Sequence, residues 1–234
     1  MDLQPVSPMI TVETALEALR AHSDPERAAG SAAYHKAKRD YLGTPNPVIN
    51  DLTRDWRKDL DLDQRIALCV QLWDTDIHEA RVAAAKLLTQ ARIRPDDQVW
   101  ALIASWVPGF DAWAIADHVC SAGSKRLVAD PSRLDEVEAW TVSEHMWTRR
   151  AALVITLPWT KQNFPTEADL ATRDRVLGWA ADYVSDRDWF IQKAVAWWVR
   201  DLSKHDAARS IAFLEEHGSK MKGFAVKEAG KYLK

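Results

Sequence analysis

The chain has 234 residues, 47% of them hydrophobic and 28% charged, with a formal net charge of −3. That balance belongs to a globular protein with ample chain for a core, and it excludes bulk disorder. It also excludes a generally polycationic nucleic-acid binder, so any surface for an anionic partner must be local.

Glycine is scarce, at 8 residues against 12 tryptophans. Ala-rich amphipathic runs dominate and no segment alternates with period two, so the expected class is all-α. Residues 1–10 read as an N-terminal tail and 11–234 as a single helical domain. In chain order, a period of 3.6 residues predicts helices over Val12–Ala21, Pro25–Tyr41, Pro47–Lys58, Asp63–Trp73, Ile77–Ala91, Asp96–Val107 and Trp113–Ala122. The same pattern continues over Leu134–Trp140, Glu144–Leu157, Glu167–Val184, Trp189–Lys204, Ala207–His217 and Lys220–Leu233. Gly43-Thr-Pro-Asn-Pro47, Pro108-Gly109 and Pro158 mark breaks, because proline and glycine interrupt helical hydrogen bonding.

Met1 to Pro5 carries neither a basic start nor an apolar run, so a cytoplasmic protein is expected. The longest apolar run, Val99 to Val107, is too short to span a membrane. Cys69 and Cys120 stand alone, without CxxC or Cys/His ligand spacing. Neither a disulfide framework nor a metal site is supported, no cofactor is expected, and the chain reads as a monomer.

A weak repeat runs through the helices. Arg81-Val82-Ala83, Arg149-Arg150-Ala151, Gln192-Lys193-Ala194 and Lys227-Glu228-Ala229 each place a small residue early in an amphipathic helix. With Ala116, these alanines recur at intervals of about 33 to 43 residues, a spacing that suits stacked helix pairs, a HEAT-like α-solenoid. In such stacks one helix of each pair lines a concave groove, where the basic residues would gather.

The helix from Trp189 to Lys204 shows two faces. Ile191, Val195, Trp198 and Leu202 form an apolar stripe for the core. Lys193, Trp197, Arg200 and Lys204 recur on another face, three cations around an indole. Such a face either covers a half-buried tryptophan with Lys and Arg stems or meets an anionic partner that presents flat rings, as nucleic acid does.

Trp113 and Asp117 lie four residues apart and so share a helix face, with Ala114, Ile115 and Ala116 between them. A carboxylate in that apolar setting needs a partner, and Arg150, flanked by Met146, Leu153 and Leu157, is a candidate. Spacing alone leaves two readings open, a structural Asp117–Arg150 strut between repeats or a working carboxylate. His118, about 100° further round the helix, reads as a surface histidine rather than a general base. Trp56, Trp73, Trp100, Trp140 and Trp179 read as packing between helices. Lys220, Lys222, Lys227, Lys231 and Lys234 read as a solvated helix end, or as an extension of the groove.

The set Phe110-Asp-Ala-Trp113-Ala-Ile-Ala-Asp117, Trp147-Thr-Arg-Arg150-Ala and Phe190-Ile-Gln-Lys-Ala-Val-Ala-Trp197-Trp-Val-Arg200 resembles the AlkD-like family of DNA alkylation repair glycosylases. Tyr34-His-Lys, Tyr41-Leu-Gly-Thr44-Pro45 and Phe224-Ala-Val-Lys-Glu-Ala-Gly-Lys-Tyr-Leu233 extend the likeness from about residue 30 to the C-terminus. The resemblance implies a HEAT-like solenoid that cups duplex DNA and cleaves the N-glycosidic bond of cationic N3- and N7-alkylated purines. It implies Asp117 as the catalytic carboxylate and Trp113 and Trp197 as contacts to the lesion nucleotide. Arg150 would line the same site, Tyr34 and Thr44 would contact DNA, and Lys193, Arg200 and Lys204 would hold phosphates. The alternative is a non-catalytic helical module, either a binder of DNA structures or a scaffold for a protein partner.

Overall fold

In a computed structural model, which describes residues 10–233, the chain is all-α. Among the described residues there are thirteen α-helices and no strand. They are α1 (Val12–Arg20), α2 (Pro25–His35), α3 (Asn46–Asp59), α4 (Leu62–Asp74), α5 (His78–Leu87), α6 (Asp97–Trp106) and α7 (Trp113–Ala129). Then follow α8 (Leu134–Trp140), α9 (Met146–Ile155), α10 (Glu167–Asp182), α11 (Trp189–Ser203), α12 (Ala207–His217) and α13 (Gly223–Ala229). Residues 1–9 of the expected tail lie outside the described residues. Starts are set by short acceptor side chains. Thr11, Asp61 and Thr166 close capping boxes, and Asp24 and Asp188 each accept two N–H groups of the helix that follows.

The chain packs as two compact units, Met1–Lys125 and Arg126–Lys234. In the first, α5 packs on α4 and α3, and α1 closes over α4 and α5. In the second, α11 is central, with α9 and α13 beside it and α12 behind. Within each unit, therefore, a helix packs on its sequence neighbour and on the helix two positions away, as repeated helix pairs require. The repeated alanines explain how. Ala83, Ala116, Ala151, Ala194 and Ala229 fall on α5, α7, α9, α11 and α13, and all five are buried.

The core follows the apolar stripes. Ile191, Val195, Trp198 and Leu202 of α11 have no exposed surface, each contributing roughly 1.5–3 kcal/mol of burial. The Trp198 indole N–H donates to the Thr156 hydroxyl at 3.2 Å, which removes the cost of burying it. Trp56, Trp73, Trp100 and Trp179 are buried, with Trp73 and Trp106 stacked at 4.2 Å, while Trp140 is half-buried.

Three helices differ most from their sequence patterns. The second ends at His35 rather than Tyr41, because Lys36 adopts a left-handed conformation (φ 60°) that stops the helix. The seventh runs through Ser121-Ala-Gly-Ser124 to Ala129. The cost of a helical glycine, about 1 kcal/mol, is offset there by the buried side chains of Ala122 and Leu127. The last is confined to Gly223–Ala229, with a separate 3-10 turn at Gly218–Lys220.

Candidate nucleic-acid interface

In the first unit the site is built around Trp113, the first residue of α7 and half-buried. The Tyr34 ring meets it edge-on at 6.0 Å and 90°, and the His35 ring lies 5.3 Å away. His35 stacks on His78 at 4.9 Å, and Tyr41 stacks on both, 5.0 Å from His78 and 6.3 Å from His35. Tyr34 remains 68% exposed, so a flat ring stands free at the edge of an otherwise buttressed aromatic cluster. Burial, then neighbouring His35, Arg39 and His118, hold His78 at about 3, so its imidazole is neutral at pH 7.

The loop after Lys36 is fixed by polar contacts that the sequence patterns did not disclose. The Arg39 side chain, only 2% exposed, pairs with Asp111 and with Asp76 at 3.4 Å. The buried Glu79 carboxylate accepts the N–H groups of Leu42 and Gly43, both at 2.8 Å. Gly43 sits at φ 77°, and a Cβ there would come within 2.1 Å of the Asp24 carbonyl oxygen, so only glycine fits. Thr44 is buried, and its hydroxyl donates to the Leu19 carbonyl at 2.9 Å. Tyr34 is thus brought to Trp113, and Thr44 is not. Asp117 lies one turn beyond Trp113, half-buried, and the three residues between them are buried. His118 is not a surface residue. It is half-buried, and burial followed by Lys86 holds it at about 4.

In the second unit Arg150 is 3% exposed, and its guanidinium lies 5.7 Å from the Trp147 ring centre. An aromatic row continues from Trp147 to Phe190 at 4.7 Å, Trp189 at a further 5.0 Å and Phe224 at 5.8 Å. Lys193 stands 5.6 Å over Trp189, and Lys204 stands 4.5 Å over Tyr232. Trp197 is half-buried, and its indole N–H donates to Asp201 at 3.1 Å. The expected row of three cations is therefore modified. Arg200 donates to Asp201 at 3.1 and 3.0 Å and pairs with Glu228, so its charge is matched within the fold. Burial alone would lower the proton affinity of Arg200, but the two carboxylates raise it. Asp201 was visible one turn from Trp197; Glu228, from α13, was signalled by nothing local.

Among the described residues no group of three or more His, Cys, Asp or Glu could hold a metal ion. None of their helices is long and apolar enough to cross a membrane.

The model of the family described as "DNA alkylation repair enzyme" matches residues 15–233. The chain belongs to that family. Nothing among the curated proteins matches it. Three solved structures share the fold of this DNA alkylation repair family member. A structure described as a predicted DNA alkylation repair enzyme from Enterococcus faecalis is 22% identical, with a TM-score of 0.75 over 91% of this chain and 97% of that one. The smu.31 protein of Streptococcus mutans UA159 is 20% identical, with a TM-score of 0.61 over 80% of this chain and 92% of its own. AlkD2 from Streptococcus mutans is 19% identical, with a TM-score of 0.62 over 80% and 90%.

Proposed function

We propose that this DNA alkylation repair family member is a DNA N-glycosylase that excises cationic alkylated purines, of the N3-methyladenine and N7-methylguanine type, from duplex DNA. One observation carries the reading. A half-buried tryptophan, a free tyrosine ring edge-on to it, and a carboxylate one turn along the same helix stand together in the first unit. Indole and phenol faces attract a cationic base and the electron-poor hydrogens of its sugar. An alkylated purine already carries positive charge, so the C1′–N bond breaks with its electron pair returning to the base. The sugar is left as an oxocarbenium-like cation. Asp117 stabilises that cation and orients a water, whose oxygen bonds to C1′ while its proton passes to the carboxylate.

No acid is needed for such a leaving group, and His118, kept neutral by burial, is not poised to supply one. Neutral lesions such as uracil should therefore be poor substrates. Trp197 and Arg150, on the second unit, are proposed to contact the substrate. Lys193 and Lys204 are proposed to hold phosphates, with Arg200 acting through its ion pairs and Thr44 by fixing the loop that follows Tyr34. The protein would work in the cytoplasm as a monomer, without metal or cofactor.

The test is release of free base from methylated duplex DNA, read by chromatography in the presence of chelator. Asp117→Asn keeps the shape and removes the charge, so it should fold normally and lose roughly 100-fold or more in single-turnover rate. Full activity of that variant would overturn the assignment of the carboxylate. Duplex binding by the unaltered protein without any base release would assign it to the non-catalytic class.

A further inference from the structure

Between α3, α5 and α7 of the first unit lies a cavity of about 320 Å³ to which the proposed chemistry assigns no role. Arg54 and Arg57 reach it from α3, Lys86 from α5, and His118 and Ser121 from α7; no carboxylate is among its lining residues. In a chain of net charge −3, three cations sharing one hollow are a local excess. Arg54 has a partner outside the hollow, Asp51 at 2.8 Å, in an exposed pair along α3. Among the described residues, the two deeper cations have neutral partners only. Arg57 donates to the Lys86 carbonyl at 3.2 Å, and the Lys86 ammonium donates to the Asn50 side-chain oxygen at 2.6 Å.

Burial disfavours charge on both Arg57 and Lys86, with Arg65 and Arg54 adding to the effect at Arg57. Two half-desolvated cations without a counter-charge are stabilised by an anion that enters between them. The shape of the hollow selects among anions. A tetrahedral oxyanion offers an oxygen to each cation. The volume also leaves room for the groups esterified to it. The neutral imidazole of His118 and the Ser121 hydroxyl add donors on the third side.

The geometry points to this hollow as a phosphate-binding pocket whose occupant is a backbone phosphate of duplex DNA. The choice of duplex rests on the glycosylase reading above. His118 directly follows Asp117 on α7, so a phosphate held here would set the register of the strand relative to the carboxylate.

The experiment uses the full chain and the double variant Arg57→Gln/Lys86→Gln. Fluorescence anisotropy on an unmodified duplex over a salt series should give about 10-fold weaker binding, with the slope of log K against log salt reduced by about one to two. The charge-preserving pair Arg57→Lys/Lys86→Arg should recover the slope, which a fold merely damaged by the first variant would not do. In a second arm, inorganic phosphate is titrated while the backbone amides of Asn50, Thr89 and Ser121, which also line the hollow, are followed by NMR. They should shift in the unaltered protein, stay still in the glutamine variant, and be released by added duplex. Phosphate that binds but is not displaced by duplex, with the duplex salt slope unchanged, would overturn the DNA backbone as occupant in favour of a free phosphorylated compound. Absence of both responses would overturn the pocket itself. Failure of the unaltered protein to release base would instead refute the glycosylase reading and leave these readouts standing.

Discussion

His78 and His118 are held by burial at about 3 and about 4, whereas the unfolded chain returns each to about 6.5. For both groups the folded state binds protons less readily than the unfolded one. Stability is therefore intact above pH 6.5 and is lost as pH falls towards the folded-state values. Each group loses about 1.36 kcal/mol for every pH unit below 6.5, which is about 2 kcal/mol at pH 5 and about 4 kcal/mol for the pair. His35, lowered by burial and then by Arg39, acts in the same direction. Carboxylates held low in the fold, such as Asp206, Asp169 and Glu138, lose their contribution only below their unfolded values near 4. The window from 6.5 to 5 thus belongs to the histidines. The assay is urea unfolding followed by tryptophan fluorescence at intervals between pH 7.5 and 5, with a parallel fall in Tm of roughly 8–16 °C expected for a chain of this size. His78→Gln and His118→Gln should each remove about half of the pH slope, whatever they do to absolute stability. A loss smaller than about 1 kcal/mol between pH 7.5 and 5, against the ~4 kcal/mol linkage requires, would refute the reasoning. So would slopes left unchanged in both variants.

Two further substitutions test the supports of the candidate site. Gly43→Ala places a Cβ 2.1 Å from the Asp24 carbonyl oxygen and 2.8 Å from the Ala28 nitrogen at φ 77°. It should cost roughly 2 kcal/mol or more by thermal melting, and a change within about 0.5 kcal/mol would contradict the geometry. The Gln192 side chain is fully buried, donates to the carbonyls of Val184 and Asp186 at 2.9 and 2.8 Å, and accepts the Lys222 N–H at 2.8 Å. Gln192→Ala orphans these backbone groups and should lower the denaturant midpoint by the equivalent of roughly 2–3 kcal/mol; a neutral result would mean that water replaces the amide.

Much of the fold was legible because helix periodicity is a local property. The stripe Ile191, Val195, Trp198, Leu202 and the repeated alanines are visible within one helix at a time, and all of them are buried. The boundaries that differ were settled by single-residue conformations and by contacts from elsewhere. Nothing in the Ala-rich run from Pro25 announces that Lys36 turns left-handed. It does so where the chain must bring Arg39 to Asp76 and Asp111. The two carboxylates that pair with the Arg39 side chain are 37 and 72 residues away in sequence.

The same distinction governs the candidate site. Trp113 and Asp117 were readable together because four residues on one helix define a face without help from the rest of the chain. A cation's availability is not local in that sense. Lys193, Arg200 and Lys204 looked equivalent along α11, yet Arg200 is matched by Asp201 and by Glu228, 28 residues on. Arg57 and Lys86 drew no attention in sequence, because each sits in an ordinary amphipathic helix. Folding brings both into one hollow, where a carbonyl and an amide oxygen are their hydrogen-bond acceptors. Where a chain of net charge −3 could meet an anionic partner is thus set less by where basic residues occur than by which of them the fold leaves without a carboxylate.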